Sequence, residues 1–511
     1  MGERFDWSPE PALIDVTDEG RSRAVLEALG EATWREALDW LYGEALLRPT
    51  HAAPYPEARA TYFGPAGRPN AAPMSPSTSS EVLTEFLARV APATFNAHHT
   101  VTFSYFTAPP LPMSIAGEVL AQWLHQGVDV WHAGPIGAFV EEEVVAWLRD
   151  LMGFAEDGWG VLTSGGVMAN LMALTVARDV WLARLRGLDH QPRGADLQDV
   201  GVYVSDQAHF SIGRALDMLG FPAQTLRVLD SDERFRLQAG PVEAAIHEDR
   251  AAGITPLAIA AVAGSTNTGS VDDIPALAAL AERESLWLHV DAAYGGAARL
   301  SSRDAHRVPG LELADSVTVD PHKWFFQAYD LGALIVRRRD DLRTTFRRTP
   351  EYYRSNRPQD EPLHWFEYSM EGTRRFRGLK LWMSWKHLGT RGLGRLVEAN
   401  DDLAAYLAKQ LAGAEDFDAA PATPELSVVC FRHVPPALAG LPDHVVDAFQ
   451  TRLQRALEVS GEAWVSTTVL RGRTYLRAGV MNYLSTEADV DRLLVALRRL
   501  SEGVLEDLDL G

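Results

Sequence analysis

Apolar positions recur at three- and four-residue intervals over residues 24–42 and again over 81–90, so the first hundred residues read as helical wherever they are periodic. Between these segments, residues 54–80 are rich in Pro, Gly, Ala and Ser, which predicts a long connection. From about residue 111 the pattern changes. Short apolar, β-branched runs alternate with helical stretches such as 276–283, the arrangement of a parallel or mixed sheet covered by helices on both faces. The predicted strands are 202–205, 226–229, 257–263, 286–290, 316–319 and 333–336. After a helix over 379–387, the chain predicts a smaller unit with strands at 427–433 and 476–481 and a closing helix over 487–500. The expected plan is an N-terminal helical segment (1–110), a large α/β domain (111–385) and a small C-terminal α+β domain (386–511).

Composition narrows the functional classes. With 46% hydrophobic and 23% charged residues, the chain can bury a large core. Its 69 acidic against 48 basic residues leave a charge of -21, which repels nucleic acid and anionic membrane surfaces, so neither is an expected partner. No apolar run approaches the roughly 20 residues that span a bilayer, and the acidic start is unlike a secretory signal. A single cysteine, Cys430, excludes an internal disulfide and a multi-thiolate zinc site. A cytoplasmic, metal-free protein is expected. Only four of the 48 basic residues are lysine: Lys323, Lys380, Lys386 and Lys409. Arginine serves as well on solvated surfaces but cannot form a Schiff base, so each surviving lysine needs its own reason.

Lys323 stands where the apolar run 316–319 passes into Asp320-Pro-His-Lys-Trp324, a position at which α/β sheets bind ligands. Trp324, Phe325 and Phe326 follow, and desolvation by such neighbours favours a neutral, nucleophilic amine. In Leu286-Trp-Leu-His-Val-Asp-Ala-Ala-Tyr294, Asp291 ends a strand and needs a partner, either a backbone cap or a protonated pyridine nitrogen. Ala293 leaves space for a flat ring. Thr163-Ser-Gly-Gly-Val167 leads into a helix; a Gly-Gly pair alone is simply a turn, but bare amides at Gly165 and Gly166 suit a phosphate. His209 closes Val204-Ser-Asp-Gln-Ala-His209, and Ser265 and Thr266 close another strand with hydroxyls. A lone histidine or hydroxyl is usually structural. Five such loci at successive strand ends point instead to a pyridoxal phosphate site.

Asp206-Gln-Ala-His209, His289-Val-Asp-Ala-Ala293 and Asp320-Pro-His-Lys-Trp324, in that order, resemble the group II pyridoxal phosphate decarboxylases, which act on aromatic amino acids, histidine or glutamate. The resemblance runs from about Ala91 through Arg374-Arg-Phe-Arg-Gly-Leu-Lys-Leu-Trp382 to Asn482-Tyr483. It implies an α/β, fold type I aminotransferase-like architecture and a homodimer with active sites at the subunit interface. Lys323 would hold the cofactor covalently, Asp291 would pair with its ring nitrogen, and His209 would stack on the ring. Gly165, Gly166, Val167, Ser265, Thr266, Ala293 and His322 would surround it. Thr349-Pro-Glu-Tyr352 resembles the family's catalytic loop, which makes Tyr352 the proton donor. Three positions depart from the family pattern. Val167 replaces a hydroxyl residue, Phe139 replaces an acid, and His98 to Phe106 lacks a proline.

The implied reaction is loss of carbon dioxide from an L-amino acid, with Asp291 keeping the ring nitrogen protonated, Tyr352 protonating the α-carbon and Lys323 releasing the amine. Tyr105, Phe106, Val128, Val130 and Trp131 lie on segments that resemble the family's pocket wall and its cross-dimer contribution, and their character favours an aromatic substrate over glutamate or aspartate. Other readings are an aldehyde-forming oxidative decarboxylase, a carbon-carbon lyase, and a non-catalytic family member. His209 and Tyr352 argue against the oxidative variant, and intact Lys323, Asp291 and His209 against a non-catalytic one.

Overall fold

The computed structural model describes residues 19–43, 48–50, 53–65, 67–348 and 362–508. Seven strands form the main sheet: β1 (Trp159–Thr163), β2 (Val200–Ser205), β3 (Leu226–Leu229), β4 (Thr255–Val262), β5 (Trp287–Asp291), β6 (Ser316–Val319) and β7 (Gly332–Val336). Their order is β1-β7-β6-β5-β4-β2-β3. The strands from β3 through β6 pair in parallel, and β7 inserts antiparallel between β6 and β1. Every residue of β1, β2, β5, β6 and β7 is buried, which is why these strands read as continuous apolar runs rather than alternating ones.

The register of β5 on β6 places His289 beside Ser316 and Asp291 beside Thr318. The helix Gly166–Val176 follows β1 and is buried from Ala169 to Val176, consistent with an apolar sequence on all sides. The helix Ile274–Glu284, between β4 and β5, is capped by the Asp273 side chain, which accepts from the Ala276 N–H.

A second, antiparallel sheet has the order β10-β11-β9-β8, from β8 (Phe417–Ala419), β9 (Val428–His433), β10 (Ser466–Leu470) and β11 (Arg473–Gly479). Arg471 and Gly472, at φ 49° and 77°, make the two-residue turn between β10 and β11, a geometry that glycine adopts without cost. By contact density the chain divides into two compact units. One gathers the described residues of Met1–Phe103, Ala448–Val465 and Leu484–Gly511; the other gathers the described residues of Ser104–Asp447 and Ser466–Tyr483, and holds both sheets.

Three local expectations change. Residues 54–80 are not all connection, because Tyr55–Phe63 is helical, with Pro56 pre-set for a first turn. The helix expected over 81–90 is the capped segment Ser79–Glu85, where Thr78 and Glu81 satisfy each other's backbone, followed by a wider π turn over Phe86–Val90. Strands β8 and β10 escape the apolar pattern: both are edge strands, one of three residues and the other half exposed.

Candidate active site

The strand ends of β1, β2, β4, β5 and β6 converge on a cavity of about 480 Å³. Its walls are the Ser164–Met168 turn, His209, Thr266, Asp291 with Ala293, and the segment Asp320–Lys323. It is the crevice at the carboxyl ends of parallel strands in which α/β sheets bind ligands.

Lys323 points its amine to within 3.2 Å of Asp320 Oδ2 and 5.5 Å of the Phe106 ring centre. The following aromatics do not wall it in. Trp324, Phe325 and Phe326 turn into the core, where Trp324 Nε1 donates to Asn400 Oδ1. His322 Nδ1 accepts the Leu331 N–H at 3.0 Å, so its proton sits on Nε2, 3.7 Å from Asp320 Oδ2, and burial lowers its pKa below the usual histidine value.

Across the cavity, the helix Gly166–Val176 opens at Gly165 without a side-chain cap. Gly165 has φ 152°, and a Cβ there would lie 3.1 Å from His322 Cε1; one on Gly166 would lie 2.9 Å from Asp320 Oδ2. Both glycines are therefore required, and the uncapped amides they expose suit a dianion.

Asp291 sits buried at the end of β5, where Oδ1 accepts the Ala293 N–H (3.1 Å) and Oδ2 accepts from Asn170 Nδ2 (2.8 Å). His209 is half-buried above Ser211, and desolvation lowers its pKa, opposed by Asp291. Deeper in the sheet, burial pushes His289 down to about 4.

The His289 shift has a measurable sign. An unfolded chain protonates histidine near pH 6.5, so from about 6.5 down to about 4 the unfolded state takes up a proton that the folded state refuses. Folding stability is therefore lost as the pH is lowered through this window, by up to about 3 kcal/mol from this group. The melting temperature of the apoprotein is expected to drop accordingly, and His289→Gln to flatten the part above the carboxylate range. An unchanged slope in that variant would clear His289 as the source.

The site fits pyridoxal phosphate. An uncapped helix end faces the cavity for the phosphate, a buried carboxylate for the ring nitrogen, an imidazole and Ala293 for the ring, and one lysine for the aldehyde. Asp320 Oδ1 is buried and has no hydrogen-bond partner among the described residues, which leaves this polar cluster open to a further donor.

Other expected residues are placed differently. Thr266 lines the cavity, but Ser265 turns away to bond Thr268 Oγ1 at 2.8 Å. Val167 lines it as an apolar side chain. Phe106 lies beside Lys323, whereas Tyr105 is 60% exposed. Val128 is core, its N–H bonded to the Arg374 carbonyl, and Trp131 stacks edge-on with Phe139, so neither lines this cavity, nor does Val130. Tyr352 lies outside the described residues.

Two residues gain importance only in the folded chain. Asn170 bonds Asp291, as above. Arg477 is buried with its guanidinium carbon 4.5 Å from the Phe106 ring centre; Nε donates to the Thr266 carbonyl at 2.8 Å, and one terminal nitrogen has no partner among the described residues. An isolated buried cation is costly, so an anion beside it is favoured.

The pyridoxal-dependent decarboxylase conserved domain matches residues 64–434. The chain is 35% identical over 417 residues to an aromatic-L-amino-acid decarboxylase of Bacillus atrophaeus, covering 80% of this chain and 84% of the relative. It is 31% identical to an L-2,4-diaminobutyrate decarboxylase of Rhizobium meliloti, covering 78% and 77%, and 31% identical to the human cysteine sulfinic acid decarboxylase, covering 76% and 80%. A crystal structure of Oryza sativa TDC with PLP and tryptamine superposes with a TM-score of 0.84 at 25% identity, over 96% of this chain and 99% of that one. The architecture is thus the α/β fold of these enzymes, and the chain belongs to the group II pyridoxal-dependent amino acid decarboxylases, with pyridoxal phosphate as its cofactor.

Proposed function

We propose that this decarboxylase converts an aromatic L-amino acid to its amine and carbon dioxide. The observation that carries the reading is the Phe106 ring beside the Lys323 amine, itself packed 4.5 Å from the Tyr294 ring. Aromatic surfaces next to the reacting amine favour a flat, apolar substrate side chain. The similarity to the Bacillus enzyme supports the same substrate class.

Pyridoxal phosphate, when bound, supplies the electron sink for the pair left by the departing carboxylate. Lys323 holds the cofactor and later releases the amine, Asp291 keeps a proton on the ring nitrogen, and His209 covers the ring. Gly165 and Gly166 cradle the phosphate, with His322 and Thr266 beside it. Arg477 orients the leaving carboxylate. Tyr352, on the resemblance of its segment, delivers the proton to the α-carbon.

The enzyme acts as a cytoplasmic homodimer in this reading. Support comes from the exposed apolar side chains Val119, Leu120, Trp123 and Leu124 on the helix Pro112–Leu124 and Ile136 and Phe139 on Pro135–Met152, apolar surface that a second copy would cover. Among the described residues no helix is long and apolar enough to cross a membrane.

A second reading has one specific observation behind it: the Arg477 nitrogen that has no partner among the described residues would equally hold an acidic side chain. Carbon dioxide release from the twenty L-amino acids, with cysteine sulfinate and 2,4-diaminobutyrate added, separates the two. Turnover on tryptophan, tyrosine or phenylalanine at least about tenfold above every other substrate is expected, the discrimination an apolar pocket gives. Activity confined to glutamate, aspartate or cysteine sulfinate would overturn the aromatic reading.

A further inference from the structure

The hydrogen bonds around Asn170 have only one consistent direction. Asp291, as a carboxylate, accepts only, so Asn170 presents its amide nitrogen to Oδ2 at 2.8 Å, and the second N–H of that nitrogen goes to Ser211 Oγ, also at 2.8 Å. The amide oxygen must then be met by donors. It accepts from Thr318 Oγ1 at 2.7 Å and from His289 Nε2 at 3.0 Å. His289, neutral through burial, thus carries its proton on Nε2 and accepts at Nδ1 from Ser316 Oγ at 2.9 Å, while Ser316 accepts from Trp287 Nε1 at 2.9 Å.

The other branch ends at His209. Ser211 Oγ has accepted from Asn170, so its single proton points to His209 Nδ1 at 2.7 Å, where the Ser211 backbone N–H also points, at 3.3 Å. Two donors aimed at Nδ1 leave the imidazole proton on Nε2 and oppose a second proton. Asn170, His289, Ser211, Ser316, Thr318 and Trp287 are all buried to 1% exposure or less, so water does not stand in for any of them. The register of β5 on β6 puts His289 and Ser316 side by side, and Asn170 lies one turn into the helix whose open end faces the cavity.

We propose that Asn170 is a positioning residue whose single amide fixes both Asp291, as an acceptor, and His209, as an Nε2–H imidazole, toward the ring of pyridoxal phosphate. One helix would thereby serve both ends of the cofactor, its N-terminus the phosphate and Asn170 the ring contacts. The inference rests on the roles proposed for Asp291 and His209. The charged groups facing His209 are Asp291, Lys323, Asp320 and Arg214; of these, Asp291 bonds the amide, and Ser211→Ala, which leaves the Asn170–Asp291 bond in place, isolates the His209 branch.

The test uses full-length apoprotein and the affinity for added pyridoxal phosphate, measured by equilibrium dialysis from pH 5.5 to 8.5. Asn170→Leu is near in volume and removes both donors. Affinity at pH 7.5 is expected to fall about thirtyfold, as for the loss of a charged and a neutral hydrogen bond. The acid-side decline, set by His209 taking up a proton, is expected to move up by about one pH unit, because Ser211 is then free to accept from Nδ1. Ser211→Ala is expected to move that limb in the same direction with less than about threefold loss at pH 7.5. A change in packing alone would not shift the limb. Asn170→Leu with wild-type affinity and an unmoved limb overturns the proposal, and if that variant fails to fold, an unmoved limb in Ser211→Ala does so. Undiminished affinity in Asp291→Asn would instead overturn the role of Asp291, whereas loss there with no change in Asn170→Leu overturns only the role of Asn170.

Discussion

Lys323→Ala is expected to lose the visible absorbance of bound cofactor after desalting and to lower amine formation by at least about ten-thousandfold, the scale of deleting a covalent catalyst. No other lysine is placed to substitute. Lys380 is buried, its amine 2.6 Å from Glu118 Oε1 and 2.9 Å from the Asp330 carbonyl; Lys386 pairs with Glu143 on the surface; and Lys409 is exposed. Lys323→Arg should fail as completely, since a guanidinium restores the charge beside Asp320 but forms no imine. Agreement of the two variants would therefore separate the covalent role from the ion pair. The fold should persist in both by circular dichroism, although the alanine leaves the buried Asp320 carboxylate with only His322 and costs about 1–3 kcal/mol. Wild-type absorbance and turnover in Lys323→Ala would remove this lysine from the mechanism.

Six of the seven strands of the main sheet were legible, overlapping the observed ones within about two residues. Strands β2, β4, β5, β6 and β7 are so buried that they read as apolar runs, the half-buried edge strand β3 was legible from its alternating apolar residues, and β1, though buried throughout, was not among the predicted strands. The edge strands β8 and β10 were not legible, because an edge buries little and needs no apolar run. Helix Tyr55–Phe63 was hidden in a segment whose Pro and Gly content suggested only connection, although Pro56 is also a first-turn residue.

The site was legible wherever chemistry demands one residue type at a strand end, as with Lys323, Asp291, His209 and the Gly165-Gly166 pair. It was not legible where the role depends on which way a side chain turns. Ser265 and Thr266 are adjacent hydroxyls, yet only Thr266 faces the cavity, because Ser265 closes the turn onto Thr268. Val128 lies on a segment that resembles the pocket wall or its cross-dimer contribution, and within one subunit it is buried in the core close to Gly137. Asn170 and Arg477 carried no signal at all, since an asparagine inside an apolar helix and an arginine within a strand acquire meaning only from partners 121 and 211 residues away.

Asp291→Asn is expected to keep a cofactor chromophore but to lower amine formation by at least about a thousandfold, near 4 kcal/mol of barrier. Chromophore is retained because Lys323 is untouched, which distinguishes this variant from Lys323→Ala. Activity is lost for two reasons. An amide does not hold a proton on the ring nitrogen as a carboxylate does, so the pull on the electron pair left by the carboxylate weakens. The amide also conflicts with the surrounding donors. Both oxygens of Asp291 accept from the protein, Oδ1 from the Ala293 N–H and Oδ2 from Asn170, so either orientation of an asparagine sets its NH2 group against another N–H. That clash should lower apoprotein stability by about 1–3 kcal/mol, a loss a simple change of charge would not produce. Asp291→Glu, which keeps the acid but lengthens the arm, should restore the missing acceptor yet recover only part of the turnover. Turnover in Asp291→Asn above a tenth of wild type would mean that the ring nitrogen needs no carboxylate here, and would leave Asp291 a structural cap for β5.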